Sequence, residues 1–184
     1  INGYDLPNPV DWKALEDDGN QVEIRDPFNV LYVAFNPESN PALKDLKVRQ
    51  ALDMAVNREQ LVTSQLPEGA TAASQFYPDT VEGYNKDLAV TKYDPEGAKK
   101  LLKEAGQENL KLTFAYPSEV TRPYMPNPQK IHEAIRKDFE KAGVEVEVVT
   151  KPWNGGYLDG VDNGQFDAWL LGWTGDYNSA DNFI

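Results

Sequence analysis

The sequence of 184 residues contains no cysteine. This absence excludes disulfide bonds, thiol catalysis and cysteine-ligated metals, although it does not fix the compartment in which the protein works. Basic residues are also scarce, because 18 lysines and arginines stand against 30 acidic residues and the formal net charge is -12. A chain this acidic repels nucleic acid and anionic lipid surfaces, so we expect neither as a general partner.

Long apolar runs and signal sequences are missing as well. No apolar run approaches the roughly 18 to 20 residues that cross a bilayer, so we expect no direct membrane insertion by this segment. No signal peptide is present at the start, and the chain runs from Ile1, without methionine, to Ile184. We interpret residues 1–184 as part of a longer protein, with any signal or lipid anchor outside them.

The common catalytic and metal-binding motifs are absent too, since there is no G-x-S-x-G elbow, P-loop or H-E-x-x-H. The one histidine, His132, has no second histidine or cysteine with which to share a metal. We expect no catalytic residue, metal or cofactor, and we predict that His132 is a surface or boundary residue. One enzymatic alternative is glycoside hydrolysis by paired carboxylates, although such residues more often mark turns. The candidate aspartates are Asp159, Asp162, Asp167, Asp176 and Asp181.

The pattern of apolar residues predicts an α/β fold. Strands are predicted over residues 110–114, 144–148 and 166–171, separated by helices over residues 128–142 and 153–161. Strand, helix and strand in alternation imply right-handed crossovers and parallel pairing. The fold class is therefore α/β, with a mixed, mostly parallel sheet that is flanked by helices.

The first half of the chain adds strands and helices to this sheet. An alternating pattern predicts a short strand over Val22–Ile24, and the apolar run Val30–Phe35 predicts a strand covered on both faces. Four helices are predicted from capping residues and apolar stripes, over residues 10–18, 48–56, 57–62 and 95–105. Residues 67–91 lack periodicity and are predicted to form a long surface excursion within a single domain of residues 1–184.

Ligands of such sheets bind outside the carboxyl ends of the strands, where two unusual loops are predicted. In the first loop, residues 117–127, three prolines hold Arg122 in place, and a guanidinium suits a carboxylate. The alternative is a surface arginine that pairs with a nearby acid. The sequence therefore indicates Arg122 as a candidate anion-binding residue.

The second loop, residues 172–182, begins with candidate ligand-binding residues Trp173, Thr174, Gly175 and Asp176. Trp173 offers a flat apolar face, Gly175 allows a close backbone approach, and Asp176 could accept from an ammonium group. The alternatives place Trp173 in the core and make Asp176 or Asp181 a helix N-cap, which is the better interpretation for Asp181. Together the two loops suit a ligand with one negative and one positive end, such as a short peptide or an amino acid.

Two longer motifs resemble a known family. They are V-R-Q-A-L-D-M-A-V-N-R over residues 48–58 and Y-D-P-E-G-A-K-K-L-L-K-E-A-G over residues 93–106. Found together at this separation, they resemble the family 5 extracellular solute-binding proteins, which are the dipeptide- and oligopeptide-binding proteins of ABC transporters. The resemblance implies a periplasmic-binding-protein-like fold of two lobes that close on a ligand, with this chain forming most of one lobe.

The resemblance also implies roles and partners. Arg122 corresponds to the arginine that grips a peptide carboxylate, Asp176 to the aspartate that grips its ammonium, and Trp173 to a tryptophan that packs over the peptide. It implies short peptides as ligands, a membrane permease as partner, and a location in the periplasm or at the extracellular face of the membrane.

Other interpretations stay open at this point. The sequence departs from the dipeptide-binding pattern at residues 177–180, which leaves peptide length and side-chain preference open. The family also includes carriers of nickel chelates, haem, glutathione and sugars. A docking module is a further alternative, because the excursion contains Phe76, Tyr77 and Tyr84, although these aromatic residues are expected to pack on their own lobe.

Overall fold

A computed structural model describes residues 3–5, 7–26 and 28–184. Its centre is a four-stranded sheet with the strands β1 Asn29–Phe35, β2 Lys111–Ser118, β3 Glu145–Pro152 and β4 Ala168–Thr174. The order across the sheet is β1-β4-β2-β3. Strand β2 pairs in parallel with both β3 and β4, whereas β1 pairs with β4 in the antiparallel sense. The prediction of a mixed, mostly parallel sheet is confirmed.

Among the residues that the structure describes, six α-helices connect and cover these strands: α1 Trp12–Asp17, α2 Leu46–Ala55, α3 Arg58–Gln65, α4 Pro95–Glu104, α5 Pro128–Lys141 and α6 Leu158–Asp162. Short 3₁₀ turns occupy Pro9–Asp11, Pro41–Lys44 and Ala180–Asn182, and a wide irregular turn occupies Trp153–Tyr157. Within the described ranges, none of these helices combines the length and the hydrophobicity that a bilayer crossing requires.

Three helices begin at caps that the sequence predicts. The side-chain oxygens of Asn57, Asp94 and Asn127 accept hydrogen bonds from backbone N–H groups in the first turns of α3, α4 and α5. Pro95 and Pro128 follow two of these caps at the first helical position, where a missing N–H costs nothing. Local sequence thus determines where these helices start.

One face of the sheet packs against α2, α4 and α5. Alternate residues of the strands point toward this layer, as Leu112 and Phe114 do in β2 and Ala168 and Leu170 do in β4. The stripe of α5 meets them with Ile131, Ile135 and Phe139, all buried. This is the main core of the protein.

The opposite face is covered by two smaller groups of side chains. Tyr157 and Phe166 pack against Ala115 between the wide turn and β2. Near β1, Val81 of the excursion is buried with Val30 and Phe183, and the ring of Phe76 lies 4.7 Å from that of Tyr32. Residues 67–91 contain no helix or strand. Phe76 and Tyr77 pack against residues of β1, and Tyr84 packs against Tyr77.

Three predictions about local structure are wrong. Residues Val22–Ile24 form no strand, since no neighbouring strand pairs with them. The helix predicted over residues 153–161 begins only at Leu158, because Gly156 takes a φ of 107° that interrupts the helix. His132 is not a surface or boundary residue but is 2% exposed, between α5 and β2.

Candidate functional site

The two predicted loops leave the same edge of the sheet. Strands β2 and β4 run in parallel and pair at Phe114–Ala168 and Ala115–Trp169, so residues 119–127 and residues 175–183 leave the sheet at the same end. The wide turn Trp153–Tyr157 follows β3 at this edge as well. The sheet thus brings Arg122 and Asp176 to one side of the molecule, and neither side chain is shut inside the core.

Tyr124 joins the first loop to β4. A Cβ at Gly172 would lie 2.6 Å from the Cε2 atom of Tyr124, so only glycine lets this ring lie against the strand. Burial raises the pKa of the Tyr124 hydroxyl, and the nearby Arg122 partly opposes that rise. The loop itself is closed by paired backbone hydrogen bonds between Arg122 and Met125, of 3.2 Å and 2.9 Å.

The Arg122 guanidinium carbon lies 4.4 Å from the centre of the Trp153 ring. Within the described ranges, no carboxylate oxygen lies within 4.0 Å of its nitrogens, so the alternative of an arginine paired with a nearby acid is not what the structure contains. Its Nε atom is buried and has no hydrogen-bond partner in this part of the chain.

A cavity of about 330 Å³ opens beside this arginine. Its lining residues come from the loop after β2 and from the turn after β3: Glu119, Val120, Arg122, Pro152, Trp153, Asn154 and Gly155. Glu119 has a φ of 59°, which among the described residues is the one left-handed conformation outside glycine. Such conformations persist only where surrounding structure imposes them, and this one turns the chain at the rim of the cavity.

In the second loop, one side-chain oxygen accepts hydrogen bonds from two N–H groups. The Asn182 Oδ1 atom accepts from the Trp173 indole N–H at 3.3 Å and from the Asp176 backbone N–H at 2.7 Å. Trp173 is 43% exposed, so the alternative that places it in the core is wrong. The Asp176 side chain is exposed at the start of the loop. Asn182, one of two asparagines in this loop, was not predicted as a site residue.

The packing of neighbouring aromatic rings explains why residue 175 is a glycine, without reference to a ligand. Its backbone N–H donates to the Phe28 carbonyl at 2.9 Å. A Cβ there would lie 2.7 Å from Phe28 Cζ and 2.8 Å from Phe183 Cζ, which any larger residue would displace. Thr174 is exposed at the end of β4, opposite Asn29. The sequence predicted a close approach of ligand at Gly175, and the close approach seen here is that of two aromatic rings.

The other candidate aspartates lie in three places, namely the 3₁₀ turn of the same loop, the opposite edge of the sheet and α6. Asp181 is not a helix N-cap, because Ser179 precedes the 3₁₀ turn; hydrogen bonds from Ser179 and Tyr177 lower the pKa of the Asp181 carboxyl. Asp167 lies at the opposite edge of the sheet, where its oxygens accept from the Ser39 hydroxyl and the Thr113 N–H.

Asp159 and Asp162 both lie on α6. In the described part of the chain, no three histidine, aspartate or glutamate side chains are grouped so as to hold a metal ion.

The edge therefore presents three complementary features: a half-buried guanidinium, an exposed carboxylate and a flat indole face. The terminal nitrogens of Arg122 can donate two parallel hydrogen bonds to a carboxylate. The Asp176 oxygens can accept from an ammonium group, and Trp173 can cover apolar surface between the two ends. This arrangement is suited to binding a small zwitterion.

Comparisons with known proteins place the chain in context. Residues 2–184 match the family described as bacterial extracellular solute-binding proteins, family 5 Middle. The chain is 39% identical over 179 residues to the dipeptide-binding protein of Escherichia coli K12, covering 97% of this chain and 33% of that protein. It is 36% identical over 180 residues to heme-binding protein A of Haemophilus influenzae, covering 97% and 32%.

A solved structure is similar to this chain over nearly its whole length. The dipeptide-binding protein of Pseudoalteromonas sp. SM9913, in complex with Met-Leu, superposes with a TM-score of 0.86 at 32% identity, covering 97% of this chain and 35% of that one. These similarities confirm the predicted family and the predicted periplasmic-binding-protein-like fold. The chain spans about a third of the length of the relatives that it matches.

Proposed function

The chain belongs to the bacterial extracellular solute-binding proteins of family 5, and we propose that it forms one lobe of a protein that captures short peptides for an ABC importer. The observation that carries this proposal is the placement of Arg122 and Asp176 on loops that leave one edge of the sheet. Opposite charges on two loops at the same edge suit the two ends of a peptide, whose loss of water must be compensated on binding.

Each predicted site residue has a role in this proposal. Arg122 binds the peptide carboxylate, Asp176 binds the peptide ammonium, and Trp173 packs over the peptide between them. Thr174 and Gly175 connect Trp173 to Asp176, because they carry the chain from β4 into the loop. The rest of the longer protein supplies the opposite wall, and closure of the two lobes excludes water and strengthens both ion pairs.

The same proposal covers partners and location. The loaded protein delivers its peptide to a membrane permease, in the periplasm or at the extracellular face of the membrane. Binding rather than catalysis is the proposed activity, because Asp167 lies at the opposite edge of the sheet, where its oxygens accept hydrogen bonds from Ser39 and Thr113.

Haem is the competing ligand, since a relative of 36% identity is named heme-binding protein A. The geometry favours peptide. A haem presents two propionates and no ammonium group, so it would use Arg122 and would be repelled by the exposed carboxylate of Asp176.

The test is calorimetry of the full-length protein with a dipeptide, its N-acetylated form and its C-terminal amide. Asp176→Asn should weaken binding of the free dipeptide by about 30-fold or more, because removal of one partner from a desolvated ion pair typically costs about 2–5 kcal/mol. The matched control is Asp181→Asn, which changes an exposed aspartate of the same loop and should bind as the wild type does. Equal affinity of the wild type for free and acetylated dipeptides would refute the assignment of Asp176.

A further inference from the structure

The face of the Arg122 guanidinium is occupied by an aromatic ring. Its central carbon lies 4.4 Å from the centre of the Trp153 indole, a distance at which the cation is attracted by the ring quadrupole. The Nε atom is buried without a hydrogen-bond partner among the described residues, and the Arg122 side chain lines the cavity. A stacked guanidinium keeps its hydrogen-bonding edge free, because the N–H donors lie in its plane rather than on its face.

The plane of Trp153 is itself fixed by a column of rings. The Trp153 and Tyr157 rings are 6.0 Å apart with an interplanar angle of 24°, and Tyr157 and Phe166 repeat the same separation and angle. The Tyr157 hydroxyl donates to the Leu170 carbonyl of β4 at 2.5 Å. Tyr157 is fully buried, so the column is anchored in the sheet at its inner end.

The backbone of the turn allows this stack to reach the surface. Gly156 has a φ of 107°, which a residue with a side chain rarely adopts, and Gly155 lies against the Pro152 ring. The turn therefore carries Trp153 outward at the end of β3 while Tyr157, a few residues later, turns into the core.

We propose that Trp153 is a positioning residue, which holds the Arg122 guanidinium with its terminal nitrogens toward the ligand carboxylate. This inference rests on the proposed function, because it assumes that Arg122 binds a carboxylate. Without the ring, the arginine side chain would sample several rotamers and would lose conformational entropy on binding. The effect of Trp153 is therefore confined to ligands that carry the carboxylate.

The test compares a dipeptide with its C-terminal amide on variants of the full-length protein. Trp153→Met, which keeps apolar volume but removes the ring, should weaken binding of the free acid on the order of tenfold. Binding of the amide should change by less than about twofold, so that the preference for acid over amide falls by nearly the same factor. Trp153→Tyr, which restores a flat face, should recover most of this preference.

A packing control separates positioning from stability. Trp169 belongs to the same group of side chains around Tyr157 but does not line the cavity, so Trp169→Leu should lower stability and leave the acid-to-amide preference unchanged. If Trp153→Met weakens acid and amide equally, or leaves the preference intact, the inference is wrong. If the wild type shows no preference for the acid, the proposed role of Arg122 fails first, and this inference fails with it.

A measurement on the wild type avoids dependence on the folding of the Trp153 variants. In the peptide-bound protein, the side-chain protons of Arg122, assigned by their loss in Arg122→Lys, should be shifted upfield by the indole ring current. Resonances at the positions of a freely solvated arginine would show that the stack does not persist with ligand and would overturn the inference.

Discussion

Lowering the pH from about 7 to about 5 should destabilise this protein through one side chain, His132. The ring is 2% exposed and lies between the rings of Phe114 and Tyr116, with centroid distances of 4.2 Å and 4.7 Å. Burial lowers the pKa of His132 to about 4, although a hydrogen bond with the Phe114 carbonyl acts in the opposite direction. Two charges of its own helix act more weakly: Arg136 lowers this pKa and Glu133 raises it.

The direction in which stability changes with pH follows from proton binding by the folded and unfolded states. Between pH values of about 4 and 6.5, the unfolded chain binds a proton at His132 and the folded protein does not, so acid favours unfolding. Stability is complete above the unfolded pKa and falls as the pH falls through this window. The slope is about 1.4 kcal/mol per pH unit, and the full window corresponds to about 3 kcal/mol.

Urea unfolding at a series of pH values measures this effect. His132→Gln should be less stable than the wild type near neutral pH but should lose most of the slope between pH values of about 5 and 6.5. Glu133→Gln is the matched control, because it removes an exposed charge from the same helix and should keep the wild-type slope. Equal slopes in the wild type and His132→Gln would refute the account of a buried neutral histidine.

Two further predictions test the edge of the sheet. Gly172→Ala should lower the free energy of unfolding by about 2 kcal/mol, since its Cβ would overlap both the Tyr124 ring and the backbone oxygen of Val30. A change below about 0.5 kcal/mol in chemical denaturation would contradict this account of the close contact. Asn182→Ala removes the shared acceptor of Trp173 and the Asp176 N–H, and should weaken dipeptide binding about 3- to 10-fold in calorimetry while Asn182→Asp retains most of it. Equal binding by Asn182→Ala and the wild type would contradict the role of this acceptor.

The candidate residues that could be predicted from the sequence are those marked by neighbouring residues of their own loop. Three prolines around Arg122 and the glycine before Asp176 marked both charged residues, and the alternation of strands and helices put their loops at one edge. Trp153 and Asn182 were not predicted as parts of the site. Their roles depend on partners brought near by folding, and a single sequence does not record such pairs.

The sequence by itself determined those features that depend on local interactions along the chain. Capping residues and apolar periodicity act over a few positions along the chain, so the starts of α3, α4 and α5 and the strand β1 could be predicted from the sequence. The family motifs over residues 48–58 and 93–106 are likewise contiguous.

The tertiary structure alone decided how these elements meet. The placement of β4 between β1 and β2 aligns the two charged loops and sets Tyr157 against Leu170, where it supports Trp153. The packing of α5 on β2 encloses His132. The reason is physical. Strand order and burial arise from packing between segments far apart in sequence, whereas a sequence pattern reports only which face of each segment is apolar.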